Sequence, residues 1–166
     1  AIATIARTLG FRIFVTDDRP QFANKERFPE AEQVAVISYA RGLEPFQITY
    51  NTAIVVATRG HQYDDVALEV ATRSPARYVG LIGSKRKTIL IYEDLIRNGM
   101  PIERVKEIRS PIGLDMHART PEEIAVSIIG EVLMFRLGGT GEPMKLEEWR
   151  IEKIRAKIGE PEPVIG

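Results

Sequence analysis

Tyr-Val-Gly-Leu-Ile-Gly-Ser-Lys-Arg-Lys, residues 78–87, is the stretch on which the reading of the chain turns. Val79, Leu81 and Ile82 make a short apolar run suited to a strand buried on both faces, and Gly83 and Ser84 break it just before a helical pattern begins. The expected local structure is strand, tight turn, helix start. The first amides of a helix have no internal partner and carry the positive end of its dipole. The turn is therefore a candidate anion site, phosphate above all, with Lys85, Arg86 and Lys87 adding charge. The plainer alternative is an N-cap serine followed by a solvated basic turn. On either reading, three cations at the positive end of a dipole call for a negative partner.

Working outward, residues 64–73 place Val66, Ala67, Val70 and Ala71 at helical spacing and stop at Ser74-Pro75. Before them, residues 52–58 are nearly continuous and β-branched, as in a central parallel strand. After the basic turn, Ile89, Tyr92, Leu95 and Ile96 form a helical stripe closed by Asn98-Gly99, and a short helix follows Pro101. Residues 110–115 read as a strand end or loop on the same sheet edge as the other turns. Thr120-Pro121-Glu122-Glu123 combines an N-cap, a proline at the first helical position and a glutamate three residues after the cap. The helix it starts runs through Ile124, Ile128, Val132 and Phe135 to Gly138-Gly139.

At the start of the chain, residues 1–9 read as the tail of a helix with Gly10 after it. Residues 11–16 form a strand ending at Asp17 and Asp18, and residues 33–38 another. Residues 39–50 read as a loop with at most one helical turn. Residues 146–158 form a last amphipathic helix bearing Trp149, assigned to helix docking or a subunit interface, and a Pro-rich tail follows residue 159. The division expected is a Rossmann-like domain over residues 1–142, with the helix and tail of residues 143–166 packed on it. Because the opening residues lack Met and already look mid-helix, further residues upstream are expected.

The totals narrow the class. A chain of 166 residues with 44% apolar and 28% charged residues is ordinary for one globular domain. Equal numbers of acidic and basic residues, 23 each, give no net field for nucleic acid or an anionic membrane. No cysteine is present, which excludes disulfides, thiolate metal ligands and any sulfur-carrying cysteine on this chain. With His61 and His117 the only histidines, no metal site is assigned. No apolar run is long enough for a bilayer and no secretory pattern is seen, so the expected compartment is the cytoplasm.

Strands alternating with helices imply an α/β fold, a doubly wound parallel sheet whose ligands bind beyond the carboxyl ends of the strands. Asp17 ends the strand whose acid, in a Rossmann sheet, commonly holds the ribose hydroxyls of a dinucleotide; its alternative is a turn carboxylate paired to Arg19. His61 is a weak catalytic candidate that could orient a ligand or exchange a proton, with Asp64 close enough to fix its tautomer. Asp115 and Arg119 either close the site from the opposite loop or pair locally beside the Thr120 cap.

Residues 15–22 (Val-Thr-Asp-Asp-Arg-Pro-Gln-Phe), 78–87, 111–115 (Pro-Ile-Gly-Leu-Asp) and 118–125 (Ala-Arg-Thr-Pro-Glu-Glu-Ile-Ala), in that order, resemble the C-terminal Rossmann domain of the xanthine dehydrogenase accessory protein family, XdhC and CoxI. The resemblance spans most of residues 1–137. It implies a maturation factor that binds molybdenum cofactor (molybdopterin), assists its sulfuration and delivers it to a molybdenum hydroxylase client. The partners implied are that client, a sulfur-donating protein and a second copy in a homodimer. The cofactor-binding positions expected on these motifs are Asp17, Asp18, Arg19, His61, Gly80, Gly83, Ser84, Lys85, Arg86, Gly113, Asp115 and Arg119.

Two departures matter. The family pattern starts with a strand and glycine-rich turn that this chain does not contain. In a Rossmann sheet that strand is central, so a gap is expected between the strand at Phe11 and the one at Thr52. His117 stands where the family usually has a small residue. Two rival readings use the same fold: an NAD(P)-dependent oxidoreductase, and a regulatory domain that senses NAD or an adenine nucleotide without turnover. A binding accessory protein is favoured over a catalyst, because only His61 offers itself as a general acid.

Overall fold

In the computed structural model, residues 1–159 are described, apart from the side chain of His61; the tail expected after residue 159 lies outside the described residues. The order is α1 (Ile2–Thr8), β1 (Phe14–Asp17), β2 (Gln33–Val36), a 3-10 turn (Tyr39–Arg41), β3 (Ala53–Val56), α2 (His61–Arg73), β4 (Tyr78–Leu81), α3 (Lys85–Arg97), α4 (Ile102–Glu107), α5 (Pro121–Leu137) and α6 (Glu148–Ile158).

The strands pair in parallel as two separate couples, β1 with β2 and β3 with β4. No ladder joins the couples among the described residues, so the sheet is interrupted between the β1–β2 couple and the β3–β4 couple. Beyond β4, residues 109–112 run alongside it. The Arg109 amide donates to Val79 O (2.9 Å), the Leu81 amide to Arg109 O (2.9 Å) and the Ile112 amide to Leu81 O (3.0 Å). Gly80 permits this approach, because a Cβ there would lie 2.2 Å from Ile112 Cδ1.

β4 shows why the fold is doubly wound. All four of its residues are buried, and successive side chains leave opposite faces. Val79 and Leu81 enter a core with Leu68 and Ala71 of α2, Ile91 and Leu95 of α3, and Val105 of α4. Tyr78 turns the other way, onto α5, where its hydroxyl donates to Glu131 Oε2 (2.7 Å) and its ring meets Phe135 edge-on at 5.5 Å. Burial and the neighbouring Glu131 carboxylate push the Tyr78 phenol far above its usual range.

Local signals hold at the helix ends. Thr120 and Glu123 close a reciprocal capping box with Pro121 at the first position, and Gly138 ends α5 in the left-handed region at φ 73°. Three faces differ from expectation. On α3 the buried residues are Thr88, Ile91 and Leu95, whereas Ile89 and Ile96 are exposed. On α2, Asp64, Leu68 and Thr72 go inward beside the expected Ala71 while Val66 is exposed, and on α5 Ala125 and Ile129 are buried beside the expected Ile128 and Val132 while Ile124 is exposed. Each buried face thus keeps part of the expected stripe, Ala71 on α2, Leu95 on α3, and Ile128 and Val132 on α5, and is turned toward the neighbouring row. α2 also starts at residue 61, three residues earlier than its spacing implies, with Gly60 O accepting from the Tyr63 and Asp64 amides. None of the residues of α6 is buried; Trp149, Ile154 and Ile158 face outward.

Candidate functional site

The turn after β4 is held from both sides. The Ile82 amide donates to Val56 O (2.9 Å), which fixes the turn to the end of β3. Ser84 Oγ accepts from the Lys87 amide (3.3 Å), so Ser84 is the N-cap of α3. Thr88 Oγ1 bonds Ser84 O (3.0 Å) and shares a 2.7 Å hydrogen bond with Ser110 Oγ, which ties the turn to the segment beyond β4. Ser84, Lys85 and Arg86 are exposed, and the first turn of α3 holds no acid. Two cations thus stand at the positive end of a 13-residue helix, an arrangement that an incoming anion relieves.

Lys87 behaves differently: its ammonium is ion-paired to Asp64, whose side chain is fully buried. Asp64 Oδ1 also accepts from Thr58 Oγ1 (2.7 Å) and from the Thr58 amide (3.3 Å). One carboxylate therefore fastens the end of β3, the first turn of α2 and the first turn of α3 together. A buried charge persists only when paired and hydrogen-bonded, and here both conditions are met. Sequence reasoning places Asp64 beside His61 and counts Lys87 with the cations of the turn, not as the partner of Asp64. The signal that could have found the pair is a lone acid in an otherwise apolar inward stripe.

At the end of β1, Asp17 is gripped by Arg19. The Arg19 Nε and Nη2 atoms donate to Asp17 Oδ1 and Oδ2 at 2.8 and 3.0 Å, and the Arg19 amide donates to Oδ1 at 3.0 Å. These bonds hold the Asp17 carboxyl below the usual carboxylate range. Of the two readings of Asp17, this is the pairing with Arg19. The Tyr39 hydroxyl donates to Asp17 Oδ2 at 3.3 Å, and burial followed by the nearby carboxylates pushes this phenol up to about 12. Asp18 pairs with Arg59 at 3.0 Å, linking the strand end to the loop after β3, and the Arg59 guanidinium lies 4.3 Å from the Tyr63 ring centroid.

The third loop stands apart. Gly113 needs its φ of 104° and its lack of Cβ, since a Cβ would come within 2.5 Å of Ser127 Oγ, and its amide donates to Glu131 Oε2 at 2.8 Å. Asp115 is exposed and faces His117 at 3.5 Å, while the Arg119 and Thr120 amides go to Glu123 Oε2. Among the described residues no hydrogen bond or ion pair joins Asp115 to Arg119, or either of them to residues 83–86. His61 is the first residue of α2. The structure thus joins Asp18, Arg59, Tyr63, Asp64 and Lys87 along one edge, with Ser84, Lys85 and Arg86 open beside them. Among the described residues no three His, Asp or Glu gather as a metal site, and no helix is long and apolar enough to cross a membrane.

Comparison with known proteins agrees with this architecture. The chain is 33% identical over 135 residues to a Bacillus subtilis protein described as a probable xanthine dehydrogenase subunit, covering 81% of this chain and 39% of that protein. It is 30% identical over 91 residues to the molybdenum cofactor insertion chaperone PaoD of Escherichia coli, covering 55% of this chain and 29% of that one. A crystal structure of a xanthine dehydrogenase from Bacillus halodurans superposes with a TM-score of 0.72 at 31% identity, over 82% of this chain and 40% of that one. The chain therefore spans about two fifths or less of these relatives. A family model described as the XdhC Rossmann domain matches residues 1–132, and with the parallel strands and the turn at residues 83–86 falling inside that match, the chain belongs to the XdhC Rossmann-domain family.

Proposed function

We propose that this domain serves in the maturation of a molybdenum hydroxylase in the cytoplasm, holding the phosphate or nucleotide end of molybdenum cofactor at residues 83–86. The observation that carries the reading is the division of the basic triplet: Lys87 is neutralised by Asp64, whereas Lys85 and Arg86 stand exposed at the start of α3. That set of donors suits an oxyanion of a ligand. The cofactor supplies redox chemistry to the client enzyme. The residues of this chain bind and orient it: Gly83 and the first amides of α3 receive the phosphate, Lys85 and Arg86 balance its charge, and Asp64 keeps the turn in place through Lys87 and Thr58. Sulfur for sulfuration comes from a partner protein, because the chain has no cysteine. The relative named as a molybdenum cofactor insertion chaperone supports the same reading. The exposed Trp149, Ile154 and Ile158 of α6 offer a surface for a homodimer.

The dinucleotide readings, oxidoreductase and sensor, lean on a free acid at the end of β1. Asp17 is bidentate with Arg19, so a ribose would have to displace that pair. The test is the double substitution Lys85→Gln and Arg86→Gln, assayed by titration with purified molybdopterin. Affinity should fall about five- to tenfold, in line with loss of charge-assisted contacts at an exposed site, while the melting temperature holds. Unchanged affinity rejects the reading.

A further inference from the structure

We infer that the opposite edge of the sheet holds a second ligand site, one that takes a small aromatic oxyanion, a phosphate or carboxylate carried on a flat ring. The site is a cavity of about 450 Å³ at the amino ends of β3 and β4, lined among others by Tyr50, Arg77, Arg104, Glu107, Arg109 and Phe135. Its size is that of a small-molecule pocket rather than a lone ion.

Its charges do not cancel. Glu107 is ion-paired to Arg104, which is further occupied by Thr72 O (2.7 and 3.2 Å) and Ser74 O (3.3 Å) at the end of α2. Glu131 on α5 is committed to the Tyr78 hydroxyl and the Gly113 amide. Arg77 and Arg109 remain without a carboxylate partner among the described residues. Both guanidinium groups converge on the Phe135 ring, at 4.8 and 5.2 Å from its centroid, although like charges repel. Arg77 gives one hydrogen bond to Phe135 O (3.2 Å) and also lies 5.0 Å from the Tyr50 ring.

The Nε of Arg109 is buried and has no acceptor among the described residues. Buried donors are almost always satisfied, so this one marks a missing acceptor. An oxyanion between the two guanidinium groups supplies that acceptor and offsets the repulsion, and the two arginines present the forked donors that carboxylates and phosphates fit. The exposed Tyr50 ring gives a flat body something to lie on. This site lies across the sheet from residues 83–86 and is independent of the cofactor reading.

The test is titration of the ¹⁵N-labelled chain with phenyl phosphate, benzoate and inorganic phosphate at millimolar concentration, followed by amide shifts. Saturable shifts at Arg77, Tyr78 and Arg109 are expected, with one of the two aromatic anions bound several-fold tighter than inorganic phosphate. The preferred anion tells phosphate from carboxylate. Arg77→Gln and Arg109→Gln should each weaken binding about tenfold, as loss of a charge-assisted hydrogen bond does, and Arg86→Gln should leave it unchanged. Should one of the two variants fail to fold, the other gives the reading. Shifts confined to residues 83–87, no shifts at all, or undiminished binding in a folded variant would overturn the proposal.

Discussion

The two couples of strands are built on different physics. Every residue of β4 is buried, and β3, α2, α3 and α4 close over its Val79 and Leu81 with an apolar core. In the β1–β2 couple none of the strand residues is buried, and Phe14 and Val36 are exposed. That couple is held by polar contacts instead: Asp17 with Arg19, Arg12 with Glu32, Thr4 with Glu30 at 2.9 Å and Tyr39 with Asp17. Apolar burial is worth more per residue than exposed ion pairs, and it is neither titrated by pH nor weakened by charge screening. The candidate site straddles the boundary, anchored on the dry side by Asp64 and reaching the wet side through Asp18 and Arg59.

The comparison breaks most directly at Asp64. Asp64→Ala leaves Lys87 without its partner and the Thr58 amide without an acceptor, and leaves the Thr58 hydroxyl only Gly60 O at 3.2 Å. It should cost about 2–3 kcal/mol, and a urea melt would show this. A loss below about 1 kcal/mol would mean that the pair contributes little to joining α2 and α3. A milder test uses the same truncation in both couples: Val79→Ala should cost about 2 kcal/mol and Val15→Ala about half that, because only Val79 is fully packed. Equal losses would erase the distinction.

The smallest effect concerns pH. The carboxyls of Asp17, Glu30 and Glu32 are all held below their usual values, Asp17 by the Arg19 hydrogen bond, Glu30 by a backbone amide and Thr4, and Glu32 by Arg12. A depressed folded pKa contributes stability that is fully present above the unfolded value and is lost as pH falls through the folded one. Stability of the β1–β2 couple should therefore decline below about pH 4. Hydrogen exchange at Val15 and Val34 should accelerate there before exchange at Val79 and Leu81 does. Simultaneous acceleration would mean that the couples unfold as one unit.

The parts of this molecule that a linear reading recovers are those whose cause is local. The Thr120–Glu123 capping box, the Ser84 cap, Gly99 and Gly138 beyond their helices and the β-branched run of β3 depend on neighbours within four residues, and each lies where its pattern puts it. The turn at Gly83 and Ser84 into the basic start of α3 is visible for the same reason. The Asp64–Lys87 pair is not, because its partners are 23 positions apart and meet only when β3 and β4 align.

Sequence by itself determined that helices and parallel strands alternate and that a capped turn into a basic helix start follows β4, because backbone geometry and capping act over a few residues. It also excluded sulfur chemistry on this chain, through composition alone. Tertiary structure decided how far the buried faces of α2, α3 and α5 turn from the expected stripes, since a 3.6-residue period defines a face only to within one neighbouring row. It decided as well which charge is spent and which is left open. Lys85, Arg86 and Lys87 are chemically alike in sequence, and only Lys87 comes to lie over the buried carboxylate of Asp64.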